Sequence, residues 1–352
     1  MTHMLHRRDF LRTSLIGGLG ASLPPRIVCG KEKDGAHRSS RVALTAGDDR
    51  ANNVYRGLAL HRDAIRRAIG NRRVVIKPNN VSIDIQLAAT HADCIAGILE
   101  FLKSIGKIEG AVIAESAANG PTLAGFSNFG YMPVAAKYGV KLVDLDRDAT
   151  ETVFVFDEKT MRPRGVRVAR TISDPNSFII SAAKFKTHDR IVATLSLKNI
   201  VVGAPIKDIG FRWGRGRGKG TTTQKPLVHG SGVYAINYNL FKLAHKLHPD
   251  LAVIDGYTGM EGNGPTGGTP VEQRVCVVAP DWLAADRVAV HLMGIDFDKI
   301  GYLNYCMRAN MGQADLNKIE ILGEPIARHV HRYRLHDKIE RQLAWMTPPQ
   351  RS

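Results

Sequence analysis

The sequence predicts an α/β protein in which helices cover both faces of a mostly parallel sheet. Short apolar runs such as VVIKPNN and AVIAES have the length and composition of buried strands. Amphipathic segments of about ten to sixteen residues, with apolar side chains at helical spacing, separate these runs. Continuously apolar strands that alternate with helices are typical of a parallel sheet that is buried on both faces.

The first half of the chain shows this alternation most clearly. RVALTAG is a strand, NNVYRGLALHRDAIRRAIG is a helix that ends at Gly70, and RVVIKPNN is a strand that Pro78 stops. HADCIAGILEFLKSIG is an amphipathic helix, EGAVIAES is a strand, and GYMPVAAKYG is a short helix before the strand VKLVDLD. Residues 152–172 break the pattern, because TVFVF and RPRGVRVART flank a turn. We therefore predict a β-hairpin insertion there.

The second half returns to the alternation. SFIISAAKF is a buried strand, THDRIVATLSLKNIVVG predicts a helix, and residues 204–230 predict a long loop rich in glycine and arginine. GVYAINYNLFKLAHKLHP is a helix that ends at Pro249, and LAVIDG and QRVCVVAPD are strands. LAADRVAVHLMG is a helix closed by Gly294, and KIEILGE is the last strand. These elements form one α/β domain, which we place at residues 42–325.

The two ends of the chain differ from this domain. Residues 1–30 carry the adjacent arginines Arg7 and Arg8 and then a short apolar stretch, which predicts a twin-arginine signal. We therefore expect export of the folded protein, by the twin-arginine machinery, to the periplasm or another extracytoplasmic space. Residues 31–41 predict a polar linker, and residues 326–352 predict a basic helical tail.

The composition is that of a globular protein with an anionic partner. Lysine and arginine exceed the acids by 16 charges, and such a field favours acidic ligands. The four cysteines show neither C-x-x-C nor zinc-finger spacing. We therefore expect no iron–sulfur cluster held by the chain's own cysteines. Because an exported protein rarely meets nucleic acid, we expect a small anionic ligand and no nucleic-acid partner.

Polar side chains follow several predicted strands at the point where each strand ends. In open parallel sheets, ligands bind beyond the carboxyl ends of the strands, which meet at one edge. We therefore expect these side chains to share a site. They are Lys77, Asn79, Asn80, Glu115, Ser116, Lys184, Lys186, Thr187, His188, Asp189, Asp255, Glu261, Asn263 and Asp281.

The segment KFKTHD, followed ten residues later by SLKN, carries the strongest candidates. A histidine at a strand end is suited to move a proton or to bind a metal, and a lysine binds a carboxylate or phosphate as a point charge. We predict catalytic roles for His188 and Lys186. The alternative is that His188 caps a helix and the lysines are solvated. The predicted substrate-binding residues are Lys77, Asn79, Lys198, Asn199, Arg215 and Asn263.

The stretch LAVIDGYTGMEGNGPTGG predicts a glycine-rich loop after a strand. Glycine lets backbone amides approach a ligand closely. Asp255 and Glu261 would act as catalytic acid and base, or would supply oxygen ligands to a divalent metal such as Mg²⁺ or Ca²⁺. The alternative is a wide turn in which Asp255 caps neighbouring amides.

A second glycine-rich segment, GFRWGRGRGKGTTTQK, is strongly cationic. It lacks the spacing of a phosphate-binding loop, because Trp213 stands where the first glycine belongs. Three interpretations stay open: a cationic lid over an anionic ligand, in which Arg215 contacts the ligand; an RNA-binding segment; and a disordered basic loop.

The segments VVIKPNN, KTH…TLSLKN and DGYTGMEGNGP, followed by AAD and LMG, resemble the domain of unknown function 362 family. The resemblance extends from about residue 42 to residue 324 and implies the fold and the place of the site. Family members often carry a ferredoxin-like segment with clustered cysteines, which this chain lacks. A more distant similarity to the N-terminal region of nickel-pincer lactate racemases implies proton or hydride transfer on a small carboxylate.

Three functional hypotheses follow. The first is an exported enzyme that transfers a proton or hydride on a small anionic substrate, assisted by a metal or cofactor and by a redox partner protein. The second is a periplasmic binding protein that holds an anion or a metal without turnover. The third is a nucleic-acid-binding module, which the predicted export disfavours.

Overall fold

A nine-stranded sheet forms the centre of the protein, whose computed structural model describes residues 39–212 and 221–347. A separate two-stranded sheet lies outside it. The strands are β1 (Ser40–Ala46), β2 (Arg73–Lys77), β3 (Val112–Glu115), β4 (Lys141–Asp144), β5 (Thr150–Asp157), β6 (Arg162–Ala169), β7 (Ser177–His188), β8 (Val192–Thr194), β9 (Leu251–Asn263), β10 (Gly267–Ala279) and β11 (Ile319–Gly323).

Helices connect most of these strands. They are α1 (Arg50–Ala59), α2 (Arg62–Ile69), α3 (Ala92–Ser104), α4 (Thr122–Asn128), α5 (Tyr131–Tyr138), α6 (Arg170–Ser173), α7 (Ser196–Gly203), α8 (Lys225–Val228), α9 (Val233–Ala244), α10 (Trp282–Leu292), α11 (Gly301–Arg308) and α12 (Ile339–Leu343). In the described part of the chain, no helix is long and apolar enough to cross a membrane.

The order of strands across the large sheet is β11–β1–β10–β9–β7–β2–β3–β4, with β8 paired to β7. Along this path β10 runs antiparallel to both of its neighbours, and the remaining pairs are parallel. The chain leaves β2 towards β3 and β4 and then returns to the other side of β2 as β7. This reversal makes a crevice beyond the ends of β2 and β7, which is where open α/β sheets bind ligands.

Two apolar layers cover the faces of the sheet. Along β9, Val253 packs into the layer that contains α1, α2 and α3, whereas the next residue, Ile254, packs into the layer that contains α7, α9 and α10. This alternation follows from the two-residue period of a strand. The predicted α/β class, with a mostly parallel sheet and helices on both faces, is therefore confirmed, and β5 and β6 form the predicted hairpin.

Two local predictions are wrong. The glycine-rich stretch after Asp255 is a continuation of β9, which pairs with β10 along a 13-residue hairpin arm and is not a loop. The segment after His188 forms β8 before α7 begins. In the described part of the predicted helical tail, the helical segments are α12 and two short 3-10 turns at 326–328 and 344–346.

The predicted signal at residues 1–30 and most of the predicted linker lie outside the described residues. Three of the four cysteines, Cys94, Cys276 and Cys306, are described, and each is buried with a free thiol. Burial raises the pKa of all three thiols, which keeps them protonated and unreactive.

Candidate functional site

A cavity of about 220 Å³ lies beyond the carboxyl ends of β2, β3 and β7, at the crevice that the strand order creates. We call it the rim cavity. Helices α7 and α8 close its other side. Its lining residues are Lys77, Asn79, Asn80, Val81, Glu115, Ser116, Ala118, His188, Asp189, Lys198, Asn199, Val202, Gly203, Lys225, Pro226, His229 and Pro265.

A buried ion pair forms the floor of the rim cavity. The Nζ atom of Lys77, at the end of β2, donates to Oε1 of Glu115, at the end of β3, over 2.7 Å. The two oxygens of Glu115 also accept the backbone N–H groups of Ser116 and Asn80. Because every bond of this carboxylate comes from buried donors, Glu115 neutralises Lys77 and fixes the two strand ends relative to each other.

An amide network extends from this pair towards β7. Asn199 on α7 accepts a hydrogen bond from Asn79 over 3.1 Å and donates to the carbonyl of Lys77 and to Ser181. The side-chain oxygen of Asn79 accepts a hydrogen bond from Nζ of Lys186 over 2.7 Å. Lys186 is fully buried and also donates to the carbonyl of Ala88, so it supports the cavity wall and does not line the cavity itself.

Lys198 also lines the cavity, but its contacts differ from those of Lys77 and Lys186. Its side chain is 4% exposed, yet it has no hydrogen bond and no ion pair with any residue that the structure describes. Burial lowers the pKa of its ammonium to about 8, an effect that Asp189 opposes and the Lys77 charge reinforces. A desolvated ammonium without a partner is a ready binding group for an anion.

The helix that carries Lys198 is held in place by a buried acid. Asp286 on α10 accepts the backbone N–H groups of Ser196 and Leu197, the first two residues of α7, over 2.8 and 3.1 Å. Burial raises the pKa of Asp286 to about 7. Asp286 is therefore a positioning residue, since it orients α7 without touching the cavity.

Two histidines complete the wall. The backbone N–H of Arg190 lies 3.1 Å from Nδ1 of His188, and Oδ1 of Asp189 lies 3.2 Å from the same atom. Both contacts are made by Nδ1, and Nε2 has no hydrogen-bond partner among the described residues. Burial, together with the nearby charge of Lys198, lowers the pKa of His188 well below its usual value. The same two causes lower the pKa of His229 to about 4. Both rings are therefore neutral near pH 7.

Lys225 lies at the opposite end of α7 from Asp286. Its Nζ donates to the carbonyls of Gly203 and Pro205 over 3.2 and 2.7 Å and reaches that of Val202 at 3.5 Å. Burial lowers its pKa to about 7. This lysine satisfies carbonyls that the helix end leaves open, and it adds a third cationic side chain to the cavity lining.

Asp255 is not brought to the rim cavity. It lies on the face of β9 that packs under α1 and α3, whereas α7 covers the opposite face. Its carboxylate lies 3.4 Å from Nε of Arg50 and accepts the N–H of Tyr257. This buried pair leaves Asp255 on the other side of the sheet from Lys198.

Glu261 and Asn263 lie farther along the same hairpin and hold the C-terminal part of the chain. Glu261 accepts the N–H of Arg334 over 2.9 Å, and Asn263 forms two hydrogen bonds with Asp337. Between these acids β9 bulges, since Asp255 pairs with Lys184 and Met260 pairs with Lys186 on β7. The two acids have different partners, Arg50 for Asp255 and Arg334 for Glu261. The structure therefore does not bring together the acids that were predicted as a shared metal or acid–base site.

Two further predictions concern residues away from the cavity. Asp281 follows the antiparallel strand β10, so it lies at the opposite edge of the sheet, where it caps α10 and accepts Ser40; its predicted place on the shared edge is wrong. Arg215 lies outside the described residues. Among the residues described, no group of three or more His, Cys, Asp or Glu side chains is arranged to hold a metal ion.

The strand-end rule therefore found seven lining residues, and the SLKN segment supplied Lys198 and Asn199. The seven are Lys77, Asn79, Asn80, Glu115, Ser116, His188 and Asp189. The rule gave no role to Glu115, although the sequence places that residue at a strand end. It missed Lys225 and His229, because these follow the long loop after α7 and no strand ends beside them. Asp286 belongs to the AAD segment, whose position in a helix gave no sign of its contact with α7.

Comparison with known proteins identifies relatives for most of this chain. The family described as "Domain of unknown function (DUF362)" matches residues 74–291. The thylakoid-associated protein sll1697 of Synechocystis sp. is 24% identical over 228 residues, which cover 64% of this chain and 64% of that protein. This chain thus spans less than two thirds of that relative's length. No solved structure matches the chain.

Proposed function

The chain belongs to the domain of unknown function 362 family, and we propose that it is an enzyme that binds a small carboxylate in the rim cavity and moves a proton on it. The proposal includes the export predicted from Arg7 and Arg8. The observation that carries it is the state of Lys198, which is buried at the cavity wall without an acceptor among the described residues.

A small anion suits this cavity for electrostatic reasons. Lys77, Lys198 and Lys225 line it, and Glu115 neutralises the first of them. The remaining two ammonium groups have pKa values lowered to about 8 and about 7 because they are buried without a counter-ion. A bound carboxylate would supply that counter-ion, so binding would raise both pKa values and restore the charged form.

Proton transfer is assigned to His188. Its Nδ1 is occupied by the backbone N–H of Arg190, so Nε2 is the atom that would exchange a proton with a ligand. The lowered pKa of the His188 imidazole is too low for an efficient base near neutral pH. A carboxylate beside the ring would raise that pKa towards the working range, which ties proton transfer to ligand binding.

The test starts with binding. Acetate, lactate and oxalate are titrated into the full chain by isothermal calorimetry, with Lys198→Met and the exposed-site control Lys103→Met measured beside the unchanged protein. We expect at least one anion to bind, with at least a tenfold loss of affinity in Lys198→Met and no change in Lys103→Met. Equal affinity in Lys198→Met, or no binding by any of these anions, contradicts the proposal.

Turnover is tested separately, by incubation of acetate and lactate in deuterium oxide; oxalate serves in the binding test alone, because it carries no hydrogen on carbon. We expect proton NMR to show exchange of the hydrogen on the carbon next to the carboxylate. His188→Gln would abolish this exchange while the affinity stays within about threefold. Binding without any exchange would contradict the enzyme and leave a protein that only binds the anion.

A further inference from the structure

A second cavity, of about 310 Å³, adjoins the rim cavity and is closed by the C-terminal segment of the chain. We call it the tail cavity. It shares Asp189 and His229 with the rim cavity. Its other walls are the start of α9, at Gly232 and Val233, and the tail residues around Gln342.

The start of α9 offers unused backbone donors. Its N-cap residue is Gly232, which has no side chain to cap the helix. Glu158 accepts the N–H of Ala235 over 2.9 Å. The N–H groups of Val233 and Tyr234 have no acceptor among the residues that the structure describes. The first N–H groups of a helix carry a partial positive charge and favour an anion.

Gln342 carries a buried donor that has no partner among the described residues. The residue is 2% exposed and lines the tail cavity. Its Oε1 accepts the backbone N–H of Val192 over 2.6 Å, which fixes the orientation of the amide. Its Nε2 is buried and has no hydrogen-bond partner within the described ranges. A buried donor without a hydrogen bond lowers the stability of the fold, so we expect a bound group to supply the acceptor there.

The charges around this donor also favour an anion. Arg190, Lys338 and Arg341 line the cavity, and among the described lining residues the carboxylate is that of Asp189, which lies 3.8 Å from Nε of Arg190. A second carboxylate, that of Glu158, lies against Gly232 at the helix start. Burial keeps the neighbouring ring of His229 neutral by lowering its pKa to about 4. A guanidinium group can donate two parallel hydrogen bonds to the oxygens of one phosphate. The N-terminus of a helix binds phosphate through its backbone N–H groups.

We propose that the tail cavity is a binding site for a phosphate group. Gln342 Nε2 and the first N–H groups of α9 donate to it, and Arg190 and Arg341 neutralise its charge. The group is either free phosphate or the phosphate end of a substrate whose carboxylate occupies the rim cavity. Only the second source rests on the function proposed above.

The experiment is calorimetric titration of inorganic phosphate into the full chain, in a buffer of low anion affinity. Gln342→Glu keeps the acceptor for Val192 and places a negative charge at the proposed site, so we expect at least a tenfold loss of affinity. Arg341→Gln, an exposed change that leaves the fold intact, should cost about threefold to tenfold. Lys198→Met, in the rim cavity, and Arg328→Gln, on the tail away from the cavity, should bind phosphate normally.

Two results would overturn the site. One is the absence of phosphate binding to the unchanged protein at millimolar concentration. The other is loss of phosphate binding in Lys198→Met with normal binding in Arg341→Gln, which would place phosphate in the rim cavity. Thermal melts accompany each variant, and if Gln342→Glu does not fold, Arg341→Gln decides the question alone.

The source of the phosphate is distinguished by a probe with an anion at each end, 3-phosphoglycerate. If it binds at least tenfold more tightly than phosphate, and both Lys198→Met and Arg341→Gln weaken it, the phosphate belongs to the substrate. If it binds no better than phosphate, the tail cavity takes free phosphate. In that case the site stands whether or not the function proposed for the rim cavity survives.

Discussion

The ammonium of Lys77 and the carboxylate of Glu115 join the ends of two adjacent parallel strands over 2.7 Å, and both side chains are 1% exposed. Removal of one member of a buried pair leaves the other charge unpaired. We predict that Glu115→Gln lowers the free energy of unfolding in urea by about 3–5 kcal/mol.

A double-mutant cycle with Lys77→Met tests the coupling. The double variant should lose clearly less than the sum of the two single changes, because no unpaired charge remains. The exposed pair Arg41–Glu320 is the matched control, and Glu320→Gln should cost at most about 1 kcal/mol. Additive losses at the buried pair would refute the predicted coupling.

Gly203, in the last turn of α7, is packed against the same lysine. A Cβ built at this position would overlap the Nζ and Cε atoms of Lys77. On helix propensity alone, Gly203→Ala would stabilise the helix by about 1 kcal/mol. We predict instead a destabilisation of about 1–3 kcal/mol in urea unfolding, because the lysine is held by Glu115 and cannot move aside freely.

The background Lys77→Ala separates these two effects. With the lysine shortened, Gly203→Ala has room for its methyl group and should be neutral or stabilising. If Gly203→Ala costs the same in both backgrounds, its effect does not come from overlap with Lys77.

Anion affinity should depend on pH through Lys198. Its pKa of about 8 means that the ammonium is charged at pH 7 and mostly neutral at pH 9. We predict that the affinity for a carboxylate falls about tenfold between these two values. Calorimetry at several pH values would show the fall in the unchanged protein and a smaller fall in Lys198→Met, where Lys225, with its pKa lowered to about 7, still titrates. A fall of equal size in that variant would assign it to another group.

The same lowered pKa has the opposite effect on the stability of the protein when no anion is added. The pKa is 10.5 in the unfolded chain and about 8 in the folded one, so between these values the unfolded chain binds more protons. Stability should therefore rise with pH from about 8 to about 10. Urea unfolding of Lys198→Met should show a smaller rise, and an identical slope in the two proteins would contradict the lowered pKa.

Asn263 and Glu261 should control the tail and not the carboxylate site. We predict that Asn263→Asp, which places a carboxylate against Asp337, increases hydrogen exchange of backbone amides in residues 330–345 by at least tenfold. Carboxylate affinity at the rim cavity should change by less than about twofold. We expect the same two results, faster exchange in the tail and nearly unchanged affinity, for Glu261→Gln. Loss of carboxylate binding with unchanged exchange would restore these residues to the site.

Much of the fold follows from patterns that depend on local sequence. Buried parallel strands are continuously apolar and their helices are amphipathic, so β2, β3 and β7 are visible in the sequence. The carboxyl ends of such strands meet at one edge, which correctly joined Lys77, Asn79 and His188. The same rule failed at Asp281, because the direction of β10 depends on pairing with β9 and β1 and leaves no local pattern.

The glycine-rich stretch after Asp255 shows a second limit. Its glycines predicted a loop, but they lie in an extended strand against which other side chains pack closely. A Cβ at Gly259 would overlap the hydroxyl of Tyr333, which comes from the tail 74 residues later. A glycine that gives room to a distant side chain looks, in the sequence, like one that allows a turn.

The position of β1 has a consequence for synthesis of the chain on the ribosome. Strand β1 is paired on both sides by strands that are made much later: Ser40 contacts Asp281, 241 positions on, and Arg41 contacts Glu320, 279 positions on. At translation rates of about 5–20 residues per second, β1 waits for tens of seconds without either neighbour. Strand β1 can therefore pair with both neighbours only when nearly the whole chain has left the ribosome. Until then this apolar strand is exposed and can bind chaperones.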